Sequence, residues 1–392
     1  MWLTNEWGMV CHIGTRNNMK NIGVISYNIY GNFTNYGSAL QSWALHQAIA
    51  SLGYQPVLVD YCPDILADKD PLNPFKNMWD KDEESKRMCE LTMPAIRENY
   101  YKFDGFYTDR FCRTPKKYTS QNFDEVMEDE GLSGFVCGSD TIFCMDEFGF
   151  DDGFYANYAC MRGHSVSYAA SFGDPTLSEE NCRILNERLK NFKAFGLREN
   201  HMVPYVTEHV DVPVQKVVDP TLLHTADKYD EIAVPERLEE DKYLLFYSRR
   251  YSPAMEEYAE ELAKKNGWKI VEISLRATNA EKGHRMFYEA GVEEFLSLVK
   301  HAEYVVTNSF HGMIFAVQYR RPFVIFSREQ CNTKIDEILQ LFGLSDHMLV
   351  TGKEKFNHEI NYDLVHERIA KARAESIEYL NKELGLLEDE RG

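Results

Sequence analysis

This sequence lacks several features that would assign it to a common protein class. It contains no run of about eighteen or more apolar residues, so we expect no membrane-spanning helix. Its first residues show no basic stretch followed by an apolar one, and we therefore expect no secretory signal. Neither a G-x-G-x-x-G pattern nor a P-loop lysine follows the first strand-like run, so the generic nucleotide fingerprint is absent there.

Positive charge is also scarce. The 392 residues include 43 lysines and arginines against 62 aspartates and glutamates, a net charge of −19. Without a compensating basic block, nucleic acid is not an expected partner, and an anionic substrate would need a locally basic pocket. The nine cysteines form no C-x-x-C pair, so we expect reduced thiols of a cytosolic protein and no metal site.

What the chain does contain is an alternation of apolar, strand-like runs with helical segments. Runs at 22–26 and 55–61, with a turn-rich loop and a helix between them, make a βαβ unit. A second cycle of the same kind starts at residue 243. This pattern predicts an α/β protein with two Rossmann-like domains, 19–222 and 223–345, and an active site in the cleft between them.

Three segments depart from the alternation. Residues 1–18 precede Met19, and we expect an N-terminal extension that packs weakly. Residues 64–130 are rich in charges, aromatic residues and helical stretches, which predicts a helical insertion in the first domain. Its aromatic residues suit either core packing or sugar stacking. Residues 346–392 form a C-terminal helical segment, with a long charged amphipathic helix from 363 to 387.

One histidine occupies a position where α/β proteins bind ligands. An apolar strand at 304–306 is followed by residues 307–309, all of which have helix-capping side chains. Gly312 offers backbone freedom at a turn, and a helix resumes at Met313. His311 is therefore expected near a helix N-terminus at the carboxyl end of a strand, where an anion is favoured and a proton can be transferred. The alternative is a histidine that only hydrogen-bonds the turn.

Charged residues also follow two strands of the first domain. An arginine at the strand end, Arg198, can hold a carboxylate or phosphate with two parallel hydrogen bonds, or it can simply pair with Glu199. Ser139 and Asp140 follow another strand and either bind a ligand or cap the next helix. Asp219 is expected to be structural.

The remaining candidates flank the first and the last of the main strands. Asn35, Tyr36, Gly37 and Gln41 could bind a polar substrate or merely close a turn. Lys334 could add positive charge to the cleft or simply be solvated.

Taken in chain order, these residues resemble the polysaccharide pyruvyl transferase family. The resemblance spans roughly residues 20–345. It rests on six motifs, at 35–41 (NYGSALQ), 138–140 (GSD), 167–173 (SYAASFG), 197–199 (LRE), 219–221 (DPT) and 307–312 (TNSFHG). In the family, Gly-Ser-Asp is often followed by Gln-Val-Trp, whereas this chain has Thr141-Ile142-Phe143 there.

The resemblance implies a two-domain fold like that of the GT-B glycosyltransferases. It also implies transfer of pyruvate from phosphoenolpyruvate to a sugar, as a ketal bridging two hydroxyls. Arg198 would then bind phosphoenolpyruvate, and His311 would be catalytic, with Ser309, Phe310 and Gly312 beside it as substrate-binding residues. No cofactor is implied beyond phosphoenolpyruvate as donor substrate. The acceptor would be a precursor of a cell-surface polysaccharide, either free or lipid-linked at the inner membrane, and the protein cytosolic.

Two other classes of function are compatible with the sequence. A GT-B glycosyltransferase would use a nucleotide sugar, and Glu293 and Glu294 near the start of a late helix could then bind a ribose. A catalytically silent glycan-binding or assembly protein would retain the fold and an anion site without turnover.

Overall fold

The computed structural model describes residues 19–27, 29–31, 33–77, 81–328 and 331–387. Within these ranges the chain forms two six-stranded sheets whose neighbouring strands are all parallel. The predicted extension 1–18 lies outside the described residues.

The first sheet is built from strands of the first half of the chain. They are β1 (Asn21–Ile25), β2 (Gln55–Leu58), β3 (Leu132–Cys137), β4 (Ser165–Ala170), β5 (Phe192–Leu197) and β6 (Val214–Lys216). Their order in the sheet is β2-β1-β3-β4-β5-β6, and β4 is buried along its whole length. A parallel strand covered on both faces needs a nearly continuous apolar run, which is why these strands are visible in the sequence.

Seven helices accompany this sheet in the described part of the first half, and with it they form the first lobe. They are α1 (Tyr36–Ser51), α2 (Glu83–Arg110), α3 (Val126–Asp129), α4 (Met145–Phe148), α5 (Glu179–Leu189), α6 (Val203–His209) and α7 (Ala226–Asp230). Almost all of α1 is buried, including the polar side chains of Ser38, Gln41 and His46. The reason is that α1 packs on its own sheet and also against helices of the other lobe.

The second sheet belongs to the second lobe. Its strands are β7 (Tyr243–Tyr247), β8 (Lys269–Ile273), β9 (Arg285–Met286), β10 (Tyr304–Thr307), β11 (Phe323–Phe326) and β12 (Met348–Leu349). The order is β12-β11-β10-β7-β8-β9, so β10 lies centrally beside β7 and β11. The helices of this lobe are α8 (Pro253–Asn266), α9 (Val292–His301), α10 (Phe310–Gln318) and α11 (Asn332–Phe342).

The last helix, α12 (Tyr362–Gly385), returns from the second lobe to the first. The Tyr379 hydroxyl donates to the Ser167 carbonyl at 3.0 Å, and the Val218 N–H donates to the Ser376 hydroxyl at 3.0 Å. The structure therefore confirms an α/β fold of two Rossmann-like lobes in a GT-B-like arrangement with a C-terminal helix. Of the helices in the described part of the chain, none has the length and apolar character that crossing a bilayer requires.

The long helix of the insertion, α2, docks onto the second lobe. Lys102 Nζ lies 2.8 Å from Glu294 Oε2, and Arg110 Nη2 lies 2.5 Å from Glu293 Oε1. Phe103 and the other aromatic side chains on the inner face of α2 are buried in the core. The insertion therefore ties the two lobes together, and these aromatic residues pack rather than face a sugar.

Candidate functional site

Two helix N-termini meet at the junction of the lobes. The first helix, α1, begins after β1 of the first lobe, and α10 begins after β10 of the second. His311, in the first turn of α10, lies against Gly37 in the first turn of α1. A Cβ atom built on Gly37 would lie only 2.0 Å from His311 Nδ1. Two sets of first-turn N–H groups and two positive dipole ends thus face one region, an arrangement that favours an anion.

Helix α10 starts at Phe310, three positions before the predicted start at Met313. Ser309 is its N-cap, and the Ser309 hydroxyl accepts the Gly312 N–H at 3.3 Å. Gly312 is therefore a helical residue, not the predicted turn glycine. A Cβ atom there would lie 2.7 Å from Thr307 Oγ1, so the glycine permits close packing. The structure uses Ser309 and Gly312 for capping, and their binding role stays a prediction.

Arg198, at the end of β5, is held by carboxylates on two sides. Its Nε donates to Glu199 at 3.0 Å and its Nη1 to Asp219 at 3.0 Å, and the side chain is only 4% exposed. The remaining nitrogen, Nη2, is buried without a hydrogen-bond partner among the described residues, and Asp140 Oδ1 lies 3.9 Å from it. Burial lowers the pKa of Arg198, but the charges of the three acids outweigh burial and raise it, so the guanidinium stays charged.

Asp219 is the residue whose importance the sequence did not reveal. Its Oδ1 accepts the Thr221 N–H at 3.0 Å, which is the expected structural role. Its Oδ2, however, contacts both Arg198 Nη1 and His311 Nε2, the latter at 3.3 Å. Burial raises the pKa of Asp219, but His311 and Arg198 more than compensate and hold it well below its usual value. Asp219 thus has the expected structural role and also joins the two main candidates, which the sequence did not indicate.

Asp140 faces the same centre from the carboxyl end of β3. Its φ of +71° lies in the left-handed region, and the Ser38 hydroxyl donates to its Oδ2. Burial raises the pKa of Asp140, but Arg198, His311 and Lys334 lower it more, so the group stays ionised. An uncommon backbone conformation held by surrounding contacts is typical of functional sites.

Four of the predicted ligands have structural partners. The Asn35 side chain caps α1 by accepting an N–H of its first turn at 3.0 Å. The Tyr36 hydroxyl donates to the Ala290 carbonyl at 2.7 Å, deep between the lobes. The Gln41 amide oxygen accepts the Ser139 N–H at 3.0 Å. These contacts position α1 and the loop after β3, and the substrate-binding role of Asn35, Tyr36 and Gln41 stays a prediction.

The alternative prediction, that Ser139 and Asp140 cap the next helix, is wrong. The next helix, α4, begins at Met145, and its N-cap is Cys144. The Ser139 hydroxyl donates instead to the Ala169 carbonyl at 2.8 Å, which fixes the loop to β4.

Phe310 brings two cations together. Its ring centre lies 5.2 Å from Arg198 Cζ and 5.9 Å from Lys334 Nζ. Cations at this distance from a ring are attracted by its negative face. Lys334 therefore belongs to the site and supplies part of the positive charge that the acidic chain otherwise lacks.

The contact between the two helices gives a testable stability difference. Replacing Gly37 with alanine should lower the free energy of unfolding by about 1–3 kcal/mol, the usual cost of overpacking, because the new methyl group meets the His311 ring. Gly105→Ala is the matched control, since a Cβ atom on this helical glycine would have no neighbour within 4 Å. The control should gain up to about 1 kcal/mol from helix propensity. Equal stability of both variants in urea titrations would contradict the placement of His311.

Comparisons with known proteins agree with a family assignment. A family model described as "Polysaccharide pyruvyl transferase" matches residues 35–330, most of the chain. Curated proteins gave no significant match.

Among solved structures, a putative UDP-N-acetylglucosamine 2-epimerase from Listeria monocytogenes aligns with a TM-score of 0.49. It is 11% identical over 93% of this chain and 91% of that chain. A UDP-GlcNAc 2-epimerase from Neisseria meningitidis bound to UDP-GlcNAc aligns with a TM-score of 0.48, 11% identical over 94% of each chain. Likeness at this level carries no conclusion about activity.

Proposed function

Because this chain belongs to the polysaccharide pyruvyl transferase family, we propose that it transfers pyruvate from phosphoenolpyruvate to a sugar of a cell-surface polysaccharide precursor. The product is a ketal that bridges two sugar hydroxyls, with inorganic phosphate released. The observation that carries this proposal is the buried Arg198 guanidinium. Its Nη2 has no hydrogen-bond partner among the described residues, and it lies beside the Asp219–His311 pair.

Phosphoenolpyruvate carries a carboxylate and a phosphate, and the site offers donors suited to both. Arg198 Nη2 has two hydrogens to give, and Lys334 lies near the same Phe310 ring as Arg198. The first turn of α10 adds N–H groups and the positive end of its dipole. Glu199 and Asp219 fix the other guanidinium nitrogens, so Arg198 is oriented before the donor arrives.

In this proposal His311 protonates the methylene carbon of the donor. Its Nε2 faces the ionised Asp219 at 3.3 Å, which fixes the ring and favours a hydrogen on that nitrogen. Its Nδ1 edge packs against Gly37, which further fixes the ring. Protonation of the methylene carbon creates a positive centre at the neighbouring carbon, and the carboxylates of Asp140 and Asp219 supply compensating negative charge.

The acids that a nucleotide-sugar enzyme would need for ribose are engaged elsewhere. Glu293 pairs with Arg110 and Glu294 with Lys102, both on α2. Glu294 Oε2 also accepts the Gly291 N–H at 2.7 Å, as part of the cap of α9. Both carboxylates thus already take part in ion pairs with α2, and no observation favours that second function.

The proposal is tested by mass spectrometry of candidate acceptors incubated with the protein and phosphoenolpyruvate. We expect the added mass of a pyruvyl ketal together with an equal amount of released phosphate. Protection from thermal unfolding by a nucleoside diphosphate but not by phosphoenolpyruvate would instead favour a glycosyltransferase. Binding of phosphoenolpyruvate without turnover on any acceptor would favour a silent glycan-assembly protein. Neither a cofactor nor a metal is added in the assay, and both free and lipid-linked acceptors belong in the panel.

A further inference from the structure

A carboxylate next to the proposed donor site has no role in the donor chemistry. Glu147 lies on the short helix α4, a few residues beyond Asp140. Its side chain is exposed to solvent. Its polar contact within the protein is weak, with the Thr141 hydroxyl 3.4 Å from Oε2. A carboxylate held this loosely has acceptor capacity left for a ligand.

The surroundings of Glu147 are charged. Burial by surrounding protein raises its pKa, and the charge of Asp140 raises it further. Lys334 and Arg249 of the second lobe act in the opposite direction without cancelling the rise. Glu147 is exposed to solvent and lies within reach of charged groups from both lobes.

The groups beside Glu147 suit a neutral polyhydroxyl ligand. Tyr27 packs its ring against Phe148, with ring centres 5.5 Å apart, and the charges of Glu147, Asp140 and Arg249 all act on its hydroxyl. Aromatic rings beside carboxylates and a guanidinium provide both a stacking surface and hydrogen-bond partners for sugar hydroxyls.

Arg249 approaches the region of Tyr27 and Glu147 from the second lobe. Its backbone N–H donates to the Asn308 side chain at 2.8 Å, and its Nη1 donates to the Thr34 carbonyl at 3.1 Å. These two contacts anchor the guanidinium between β10 and the loop that precedes α1.

Asp140 lies between Glu147 and the donor site. It lies 3.9 Å from the unpartnered, buried Arg198 Nη2 on one side, and its charge acts on Glu147 on the other. A donor held by Arg198 and a sugar held near Glu147 would therefore be neighbours across Asp140.

Building on the proposed pyruvyl transfer, we propose that Tyr27, Glu147 and Arg249 form the acceptor subsite. It takes a sugar diol, and Glu147 is the general base that accepts the proton of the first attacking hydroxyl.

The proton balance of this scheme closes without an added reactant. His311 gives a proton to the methylene carbon while the first hydroxyl oxygen bonds to the central carbon and passes its proton to Glu147. The carbon–oxygen bond to phosphate then breaks, and the second hydroxyl oxygen takes its place on the same carbon. The second hydroxyl proton restores His311, and the proton on Glu147 leaves with the phosphate. Both protons of the diol thus end on the methyl carbon and on the phosphate.

The test uses the full chain with phosphoenolpyruvate and a panel of p-nitrophenyl hexopyranosides that carry free O4 and O6 hydroxyls. Glu147→Gln keeps the shape of the side chain but removes the base. We expect turnover to fall by about 10²–10⁴-fold, the usual scale for general base catalysis. Phosphoenolpyruvate affinity measured by calorimetry should stay the same or tighten slightly, since a negative charge near an anion is lost. Wild-type turnover should rise with pH as Glu147 becomes ionised. This rise should disappear in the variant.

Asp146→Asn is the matched control, because it removes the neighbouring carboxylate of the same helix. The Asp146 carboxylate accepts the Thr176 N–H at 3.1 Å on the protein surface. The turnover of Asp146→Asn should equal that of the wild type.

Glu147→Asp keeps a carboxylate, and its turnover should lie between those of the wild type and the glutamine variant. Near-normal turnover of Glu147→Gln, or loss of its phosphoenolpyruvate binding, would overturn the subsite. Absence of product from the wild type with every acceptor would instead refute the proposed function itself.

Discussion

Replacing Arg198 with lysine is expected to weaken phosphoenolpyruvate binding by about 10- to 100-fold, which corresponds to one charge-assisted hydrogen bond of about 1.5–3 kcal/mol. Lysine keeps the positive charge but loses the planar fork. The ammonium group can satisfy Asp219 or Glu199, but it cannot also present a second, oriented pair of hydrogens to the donor. Isothermal titration calorimetry with phosphoenolpyruvate measures this loss directly.

The same buried network determines what Arg198→Lys does to stability. Three carboxylates lie around the guanidinium, so removing its charge altogether would leave buried acids unpaired, at a cost of about 3–5 kcal/mol. Lysine should cost less and leave a folded protein whose melting temperature can be measured. Arg188→Lys is the control, since Arg188 pairs with Asp152 at 2.8 Å at the surface of the first lobe. Unchanged affinity in Arg198→Lys with normal folding would rule out Arg198 as the donor-binding residue.

Much of the fold could be predicted because the sheets are parallel and covered on both faces. Such strands need continuous apolar runs, and the run predicted at 304–306 is the observed strand Tyr304–Thr307. The two-residue strands β9 and β12 could not be predicted, since two residues show no periodicity.

Contacts between distant segments set the limit of prediction for the site. His311 and Arg198 were predictable because each follows a strand of a parallel sheet, and such strand ends converge. Asp219 was missed as a partner because an Asp-Pro pair is also a common turn, and nothing local shows that Oδ2 meets His311, 92 positions away. That Asp219 follows β6 at the same sheet edge as Arg198 was the available signal.

The ion pairs of Glu293 and Glu294 could not be predicted for a related reason. Two acids in the first turn of a helix suit a ligand, but they also suit the helix dipole and any cation docked nearby. The cations come from α2, in an insertion almost 200 residues earlier, at separations of 183 and 192 positions. Sequence patterns in single segments carry no information on such docking.

A large loss of activity is expected for His311→Gln. Glutamine can still donate to Asp219, so the helix start should persist, but it cannot transfer a proton to the methylene carbon. Turnover should fall by about 10²–10⁴-fold, while phosphoenolpyruvate still binds, only more weakly.

Turnover and calorimetry on the same preparation separate these two effects for His311→Gln. The control is His209→Gln at the end of α6, whose ring contacts the Tyr205 carbonyl on its own helix at 2.8 Å, and it should be fully active. The glutamine variant also distinguishes a structural from a catalytic role of the Asp219–His311 pair. If Asp219 and His311 only brace Arg198, then His311→Gln keeps most of its turnover and loses donor affinity instead. If the histidine moves the proton, as the ionised Asp219 at its Nε2 indicates, turnover collapses while binding survives.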